Sequence, residues 1–202
     1  MDPGGGCAEI GRDGGCAEVN LDGVRLARHG QTDDNLPPLR FQGFSDTPLN
    51  DTGRRQAREL AERVAGDGIA SLWSSDLSRA RETAEIVGAR LGLAPVLDAR
   101  LREGDRGRWE GLLMDEVRRA EPERYAAWLR AGPGFRFPGG ESLCEHQARV
   151  LEALREIRAS GPLPALVVCH GGSIRAVLCA RDPRGLSAFH EHDVPNVALV
   201  AL

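Results

Sequence analysis

The stretch "PALVVCHGGSIRAVLCA" (residues 164–180) decides the fold class. Its first six residues are apolar throughout, as expected of a strand that is buried on both faces of a sheet. A histidine and two glycines then form a loop, and the remaining residues are typical of a helix. A buried strand that leads directly into a helix predicts a parallel sheet covered by helices.

The same alternation of strand and helix runs along most of the chain. Further strands are predicted at 24–28, 69–73 and 196–202, with an extended piece at 94–98. Helices are predicted from Asp51 or Thr52, after Ser74 and Ser75 as capping residues, and over 141–159, with one or two more at 111–131, broken near Pro122. The pattern indicates an α/β fold, a three-layer α/β/α sandwich with a mostly parallel central sheet.

Composition limits the classes of protein that remain. The 202 residues suit one domain, and residues 1–22, with six glycines and the whole net charge of −4, are interpreted as a flexible acidic extension before a domain at 23–202. Residues 23–202 have no net charge, and every basic residue among them is arginine. They contain no basic stretch of the kind that binds nucleic acid. Neither a membrane span nor a secretory signal is predicted, so a cytoplasmic protein with free cysteines is expected.

Polar side chains follow three of the predicted strands. Arg28 and His29 come directly after the first strand, Arg79 lies in the first turn after the second, and His170 follows "ALVVC". Because the carboxyl ends of parallel strands meet at one crevice, beside helix N-termini that favour anions, these side chains are expected to form a phosphate pocket.

Such a pocket suits phosphoryl transfer. A neutral imidazole is a competent nucleophile, and the surrounding positive charge is expected to keep His29 neutral. The departing alkoxide needs a proton, for which Glu103 in "LREGDRGRWEG" is the preferred donor and Asp105 the alternative. Bound phosphate is expected to raise the pKa of Glu103.

With these residues the chain resembles the histidine phosphatase superfamily, the phosphoglycerate-mutase-like proteins. The resemblance covers about residues 23–202 and keeps the order and spacing of the family's motifs. The matching residues are Arg28-His29-Gly30, Asn35, Gln42-Gly43, Asp46, Pro48-Leu49, Gly53, Gln56-Ala57, "SSDLSRARETA" with Arg79, "LREGDRGRWEG" with Glu103, "PGGES" (138–142) and "HGGSIR" (170–175).

The resemblance implies a role for each of these positions. His29 would be transiently phosphorylated, with Glu103 as proton donor and then acceptor. The residues implied to hold the phosphoryl group or the substrate are Arg28, Arg79, His170, Asn35, Gln42, Gly43 and Gly171. No metal or organic cofactor is implied. The expected partner is a small phosphorylated metabolite, with neither nucleic acid nor membrane, and with a homodimer as an option.

Two other chemistries stay open at the level of sequence. "CHGGSIR" also fits a cysteine-dependent phosphatase loop, in which Cys169 would be the nucleophile and Arg175 the phosphate clamp, although Cys169 ends an apolar run. His190 and His192 in "HEHD" have the alternation of metal ligands, but are expected to be rim or surface side chains.

Within the resembling family, hydrolysis competes with two alternatives. Mutases carry a longer insertion and a C-terminal tail, which this chain, ending at Leu202, lacks, so a phosphatase similar to the broad-specificity and ribazole phosphatases is expected. A cofactor-dependent phosphoglycerate mutase and a silent phosphate-binding protein are the alternatives. Residues expected to shape a substrate pocket are Arg40, Phe41, Phe44, Arg102, Arg106, Arg136 and Phe137. Trp109, Trp128 and Phe135 are expected to be packing residues, with the lining of a substrate pocket as the alternative for Trp128 and Phe135.

Overall fold

The computed structural model describes residues 20–202, and within them five strands form one sheet. The strands are β1 (Val24–Arg28), β2 (Ser71–Ser74), β3 (Val96–Leu97), β4 (Ala165–Cys169) and β5 (Leu199–Ala201). Their order across the sheet is β3-β2-β4-β1-β5. β4 is central and parallel to both β1 and β2, β3 is parallel to β2, and β5 is antiparallel to β1. The mostly parallel sheet predicted from the sequence is confirmed.

Helices cover both faces of this sheet. The six α-helices of the described residues are α1 (Asp51–Val64), α2 (Ser78–Leu91), α3 (Met114–Ala120), α4 (Pro122–Arg130), α5 (Leu143–Ser160) and α6 (Gly171–Cys179). The strand β4 is apolar on both of its faces because each face packs against a layer of helices. Leu166 and Val168 pack with side chains of α1 and α2, whereas Ala165, Val167 and Cys169 pack with α5 and α6. The α/β/α sandwich is therefore present as predicted.

The start of α2 differs from the sequence prediction. Ser74 and Ser75 were expected to cap this helix, but it begins at Ser78, after Leu77, without a side-chain cap. The hydroxyl of Ser75 lies 2.8 Å from Nε2 of His170 instead. Ser75 therefore contributes to the crevice at the carboxyl end of the sheet.

A third apolar cluster lies beside the sandwich. It joins α3, α4, the loop after Glu103 and the turn at 185–188 to α6, with Trp109 and Phe137 fully buried at its centre. Trp109 and Trp128 pack here as predicted, with Phe135 partly buried against them. The cluster forms one wall of the crevice.

The N-terminal boundary of the packed domain lies slightly earlier than the predicted one. Leu21 is buried in the cluster that contains β1, α5 and α6. Residues 1–19 of the predicted flexible extension lie outside the described residues, as do Cys7 and Cys16. Of the described cysteines, Cys169 and Cys179 are free thiols. No helix within 20–202 is long and apolar enough to cross a membrane.

Candidate active site

His29 lies at the carboxyl end of β1, with its ring 2% exposed. Its backbone N–H donates to the carbonyl of Cys169 on β4 at 3.0 Å, which fixes the residue to the central strand. Nδ1 lies 2.7 Å from the carbonyl oxygen of Gly30. Because a carbonyl can only accept, Nδ1 carries the hydrogen, and in the neutral ring the lone pair is on Nε2. The available nucleophilic atom is therefore Nε2.

The surroundings of His29 oppose its protonation. Burial, followed by the positive charges of Arg79 and Arg28, holds the pKa of His29 well below its ordinary value. The predicted neutral imidazole is thus supported, although burial contributes more than the arginines. His29 is unprotonated at neutral pH and retains its lone pair.

The lowered pKa of His29 predicts how kcat/KM depends on pH. Protonation of His29 removes the lone pair, so the acid-side fall in kcat/KM that it causes must lie well below pH 6.5. We expect turnover, corrected for ionisation of the ester, to persist at about pH 5. A pH series with an aryl phosphate measures it, and circular dichroism at each pH is the control for folding. A fall centred near the ordinary histidine pKa would contradict it.

Three further side chains surround His29 with buried nitrogen donors. Arg79, which is fully buried, donates from Nη1 to the Ser45 carbonyl (2.7 Å) and from Nη2 to the Gly43 carbonyl (2.8 Å). Arg28 donates from Nη1 to the Val194 carbonyl at 2.7 Å. Each guanidinium is held by main chain, and Nε of each is buried without a partner in the described part of the chain.

His170 completes this group from the start of α6. Its ring centroid lies 5.1 Å from that of His29, and Nε2 is bound to Ser75. Nδ1 is buried without a partner among residues 20–202. A buried polar nitrogen without a hydrogen-bond partner is unfavourable. Nδ1 of His170 and the Nε atoms of Arg28 and Arg79 are therefore suited to bind phosphoryl oxygens. Burial lowers the pKa of Arg28, yet only to about 10, so this guanidinium remains charged.

Asn35, Gln42 and Gly43 lie together between β1 and α1. Nδ2 of Asn35 lies 3.4 Å from Oε1 of Gln42, and the Gln42 amide in turn donates to the hydroxyl of Thr32. Gly43 has φ of +59°, and a Cβ there would lie 2.1 Å from Oε1 of Glu110. This position therefore requires glycine so that its carbonyl can bind Arg79.

Glu103 faces the same crevice from the loop after β3. Oε2 accepts from the backbone N–H of Gly172 at 2.8 Å, and Oε1 accepts from Gly104 N–H at 2.9 Å and from Nη2 of Arg106 at 3.2 Å. Burial alone would raise the pKa of Glu103, but Arg106, His146 and the two N–H groups outweigh burial and lower it to about 2. Without bound phosphate the carboxylate is ionised.

The alternative proton donor, Asp105, binds the backbone of its own loop. Its Oδ1 accepts from the N–H of Gly107 at 2.8 Å, and Asp105 does not line the crevice. Arg149 of α5 supports this loop from behind by donating to the carbonyls of Arg100, Arg102 and Glu103. The geometry thus favours Glu103 over Asp105.

The crevice opens into a cavity of about 160 Å³. Its lining comprises Arg28, Asn35, Arg40, Phe41, Gln42, Gly43, Glu103, Arg106, Met114, Trp128, Gly171, Gly172, Arg175, Phe189 and His190. Of the residues expected to shape a substrate pocket, Arg40, Phe41 and Arg106 lie here. A wider hollow of about 920 Å³ lies outside α4, away from the buried histidines.

The other expected pocket residues lie elsewhere. Arg102 pairs with Asp76 and stacks on Phe44, and Phe137 is buried beneath Arg106. Arg136 binds the Gly140 carbonyl and Glu145, next to the wider hollow. Proximity in sequence to the motifs did not predict which of these side chains line the cavity, because neighbouring residues on a loop point to different surroundings.

Sequence reasoning gave no active-site role to Gly172, His146 or Asn196. Gly172 binds Glu103, and a Cβ at Gly172 would lie 2.1 Å from Oε1 of that carboxylate. His146 is buried on α5 with Nε2 3.8 Å from Glu103. Asn196 donates to the carbonyl of His29 and to Asn35. Gly172 could have been predicted, because it is the second glycine of the "HGG" motif. The sequence around His146 and Asn196 contains no comparable motif.

The cysteine alternative does not fit this arrangement. Cys169 is fully buried in β4, and burial raises the pKa of its thiol to about 12, whereas a nucleophilic cysteine needs a lowered pKa. Arg175, the clamp in that alternative, donates from Nε to the His192 carbonyl at 2.9 Å. Cys169 is therefore a core residue.

The histidines of "HEHD" have separate surroundings. His190 lies with Nε2 2.9 Å from the carbonyl of Trp128 and with its ring edge-on to that indole. His192 lies with Nε2 3.8 Å from Asp182. Among residues 20–202, no group of three or more His, Cys, Asp or Glu side chains is placed to hold a metal ion.

Known proteins share both the sequence and the fold. The family model described as "Histidine phosphatase superfamily (branch 1)" matches residues 24–202. "Probable phosphoglycerate mutase GpmB" of Photorhabdus laumondii is 40% identical over 150 residues, which are 73% of this chain and 69% of that protein. "Phosphoserine phosphatase 1" of Hydrogenobacter thermophilus is 32% identical over 174 residues, which are 86% and 82% of the two chains.

A solved structure extends the comparison to three dimensions. The mycobacterial glucosyl-3-phosphoglycerate phosphatase complexed with VO3 has a TM-score of 0.79 and 34% identity, covering 87% of this chain and 88% of that one. Phosphatases among the relatives support a phosphatase or mutase activity. The match over nearly all described residues establishes the family: this chain belongs to branch 1 of the histidine phosphatase superfamily.

Proposed function

We propose that the protein is a phosphomonoesterase that hydrolyses a phosphate ester of a small metabolite through a phosphohistidine on His29. One observation carries the proposal: the Nε2 lone pair of a neutral histidine lies among three buried nitrogens of Arg28, Arg79 and His170 that lack partners in residues 20–202. Positive donors around a nucleophile stabilise the charge of a phosphoryl group during transfer.

In the first step, Nε2 of His29 attacks phosphorus while the bond between phosphorus and the ester oxygen breaks. Arg28, Arg79 and His170 hold the three phosphoryl oxygens, and protonated Glu103 gives its proton to the leaving oxygen. The products are an alcohol and phosphohistidine. Glu103 must first take up a proton, which the negative charge of the bound phosphate favours by raising its pKa.

In the second step, water attacks the phosphoryl group from the cavity side. Glu103, now a carboxylate, accepts a proton from that water as the bond between phosphorus and Nε2 breaks. Inorganic phosphate leaves, and His29 regains its lone pair. The guanidinium groups of Arg28 and Arg79 neutralise the phosphoryl charge throughout, and the neutral His170 adds a hydrogen bond, so we propose a reaction that needs no metal ion.

A phosphoglycerate mutase is the second candidate, because of the 40% identity to a protein named as a probable mutase. The two activities differ in the acceptor of the phosphoryl group, which is water in the phosphatase and a second hydroxyl in the mutase. The same buried residues serve both reactions. Measured products therefore have to separate the two.

The test is a panel of sugar phosphates, phosphoglycerates, nucleotides, phosphoserine, ribazole phosphate and p-nitrophenyl phosphate, with released phosphate and isomerised phosphoglycerate both measured. We expect phosphate release from several esters, unchanged by a chelator. Isomerisation faster than any hydrolysis would replace the phosphatase with a mutase. Tight phosphate binding without turnover would replace it with a binding protein, and loss on chelation would refute metal independence.

A further inference from the structure

Arg106 is a buried cation that the proposed reaction does not use. It is 7% exposed, in the wall of the cavity, and its guanidinium lies 4.4 Å from the ring centroid of Phe137. Nη2 contacts Oε1 of Glu103 at 3.2 Å, but Nη1 is buried without a partner in the described residues. The guanidinium is thus held in the cavity wall, and the hydrogen-bonding capacity of Nη1 is unused within the described residues.

A second guanidinium, that of Arg175 on α6, lines the same cavity. Burial lowers the pKa of Arg106, and the charge of Arg175 lowers it further. Among the lining residues, four arginines accompany the single carboxylate of Glu103. Two like charges in one cavity wall repel each other, and an anion between them would relieve that repulsion and give Nη1 of Arg106 an acceptor. The wall next to the phosphoryl group therefore favours a further negative charge.

We propose that Arg106 and Arg175 form a second anion subsite, and that the preferred substrate carries a carboxylate or a second phosphate on its leaving group. The proposal rests on the phosphomonoesterase function. The cavity of about 160 Å³ fits a leaving group of a few carbon atoms, because a water molecule alone occupies roughly 30 Å³ in the liquid. Planar guanidinium groups bind carboxylate and phosphate in two-point contacts.

This subsite links substrate recognition to the proton donor. In the free protein, Arg106 helps to keep Glu103 ionised. A substrate anion on Nη1 offsets the positive charge of Arg106, so Glu103 then takes up a proton from water more readily. The second anion is expected to improve kcat as well as KM, because the contact both holds the substrate and prepares the acid.

The test compares esters that differ by one anion. 3-Phosphoglycerate replaces the CH2OH of glycerol 3-phosphate with a carboxylate, and fructose 1,6-bisphosphate adds a phosphate to fructose 6-phosphate. For each pair, the ratio of kcat/KM values (anionic over plain ester) is measured in the full-length protein. We expect a ratio above about 10 in at least one pair, and Arg106→Met to lower it about 10- to 100-fold, the effect of losing one or two charge-assisted hydrogen bonds.

Two further variants make the result specific. Arg106→Lys retains the charge without the planar fork and is expected to give an intermediate ratio. Arg108→Gln, at an exposed position of the same loop, is expected to leave the ratio unchanged. Thermal unfolding of each variant confirms folding. The ratio separates recognition from any general loss that follows from the contact with Glu103.

The outcomes distinguish this subsite from the phosphatase function itself. A ratio that is high for 3-phosphoglycerate over glycerol 3-phosphate and falls in Arg106→Met assigns the subsite to a carboxylate. The same result for the two fructose phosphates assigns it to a phosphate. Hydrolysis of all four esters with ratios near one, or ratios that Arg106→Met leaves unchanged, would overturn the subsite and leave the phosphatase intact. Failure to hydrolyse any ester, including p-nitrophenyl phosphate, would refute the phosphatase function and the subsite with it.

Discussion

His29→Asn is expected to lower kcat/KM for p-nitrophenyl phosphate by about 10⁴-fold or more, because the proposed nucleophile is Nε2 of His29 and the amide nitrogen of asparagine is not a nucleophile. The side-chain amide of asparagine can still donate to the Gly30 carbonyl that now accepts from Nδ1. The variant should therefore fold. Phosphate release and thermal unfolding, measured on the same preparation, check both statements.

The matched control is Cys169→Ser. Cys169 is fully buried in β4, next in sequence to His170, and its thiol has a raised pKa, so this substitution should retain most of the turnover. A fall as deep as that of His29→Asn would revive the cysteine mechanism. Trapped phosphoenzyme adds an independent readout, since phosphohistidine is acid-labile. An acid-stable phosphoenzyme would disprove the assignment of His29.

The strand ends explain why much of the site could be predicted. "VRLAR" and "PALVVC" are each followed directly by a histidine, and parallel pairing of β1 with β4 brings those ends together. His29 and His170 accordingly lie with ring centroids 5.1 Å apart. Sheet topology thus converts a sequence separation of more than a hundred residues into contact.

Features set by long-range loop packing could not be predicted. The partners of Arg79 are carbonyl oxygens of Ser45 and Gly43, and a carbonyl leaves no mark on the sequence. His146 lies next to Glu103 because α5 packs against α6 and against residues 99–101, just before Glu103. Arg106 was one of several arginines near a motif, and its burial in the cavity wall with Nη1 unpaired among the described residues distinguishes it from Arg102, which pairs with Asp76.

Glu103→Gln is expected to lower kcat for glycerol 3-phosphate by about 10²- to 10⁴-fold, the usual contribution of a general acid. Glutamine keeps the shape of the side chain and an oxygen for the N–H of Gly172, but cannot give up a proton. The loss should be smaller for p-nitrophenyl phosphate, because nitrophenolate leaves without one. The measurement is kcat for both esters in the variant and in the unsubstituted protein.

Asp105→Asn provides the control for this result. Asp105 lies two residues away but binds the N–H of Gly107 instead of facing the cavity, so its substitution should change both esters by the same small factor. If Asp105→Asn showed the dependence on leaving group and Glu103→Gln did not, the proton donor would have to be reassigned. Equal losses for both esters in Glu103→Gln would point to a role in holding Gly172 and Arg106, because only a proton donor distinguishes an alkoxide from a phenolate.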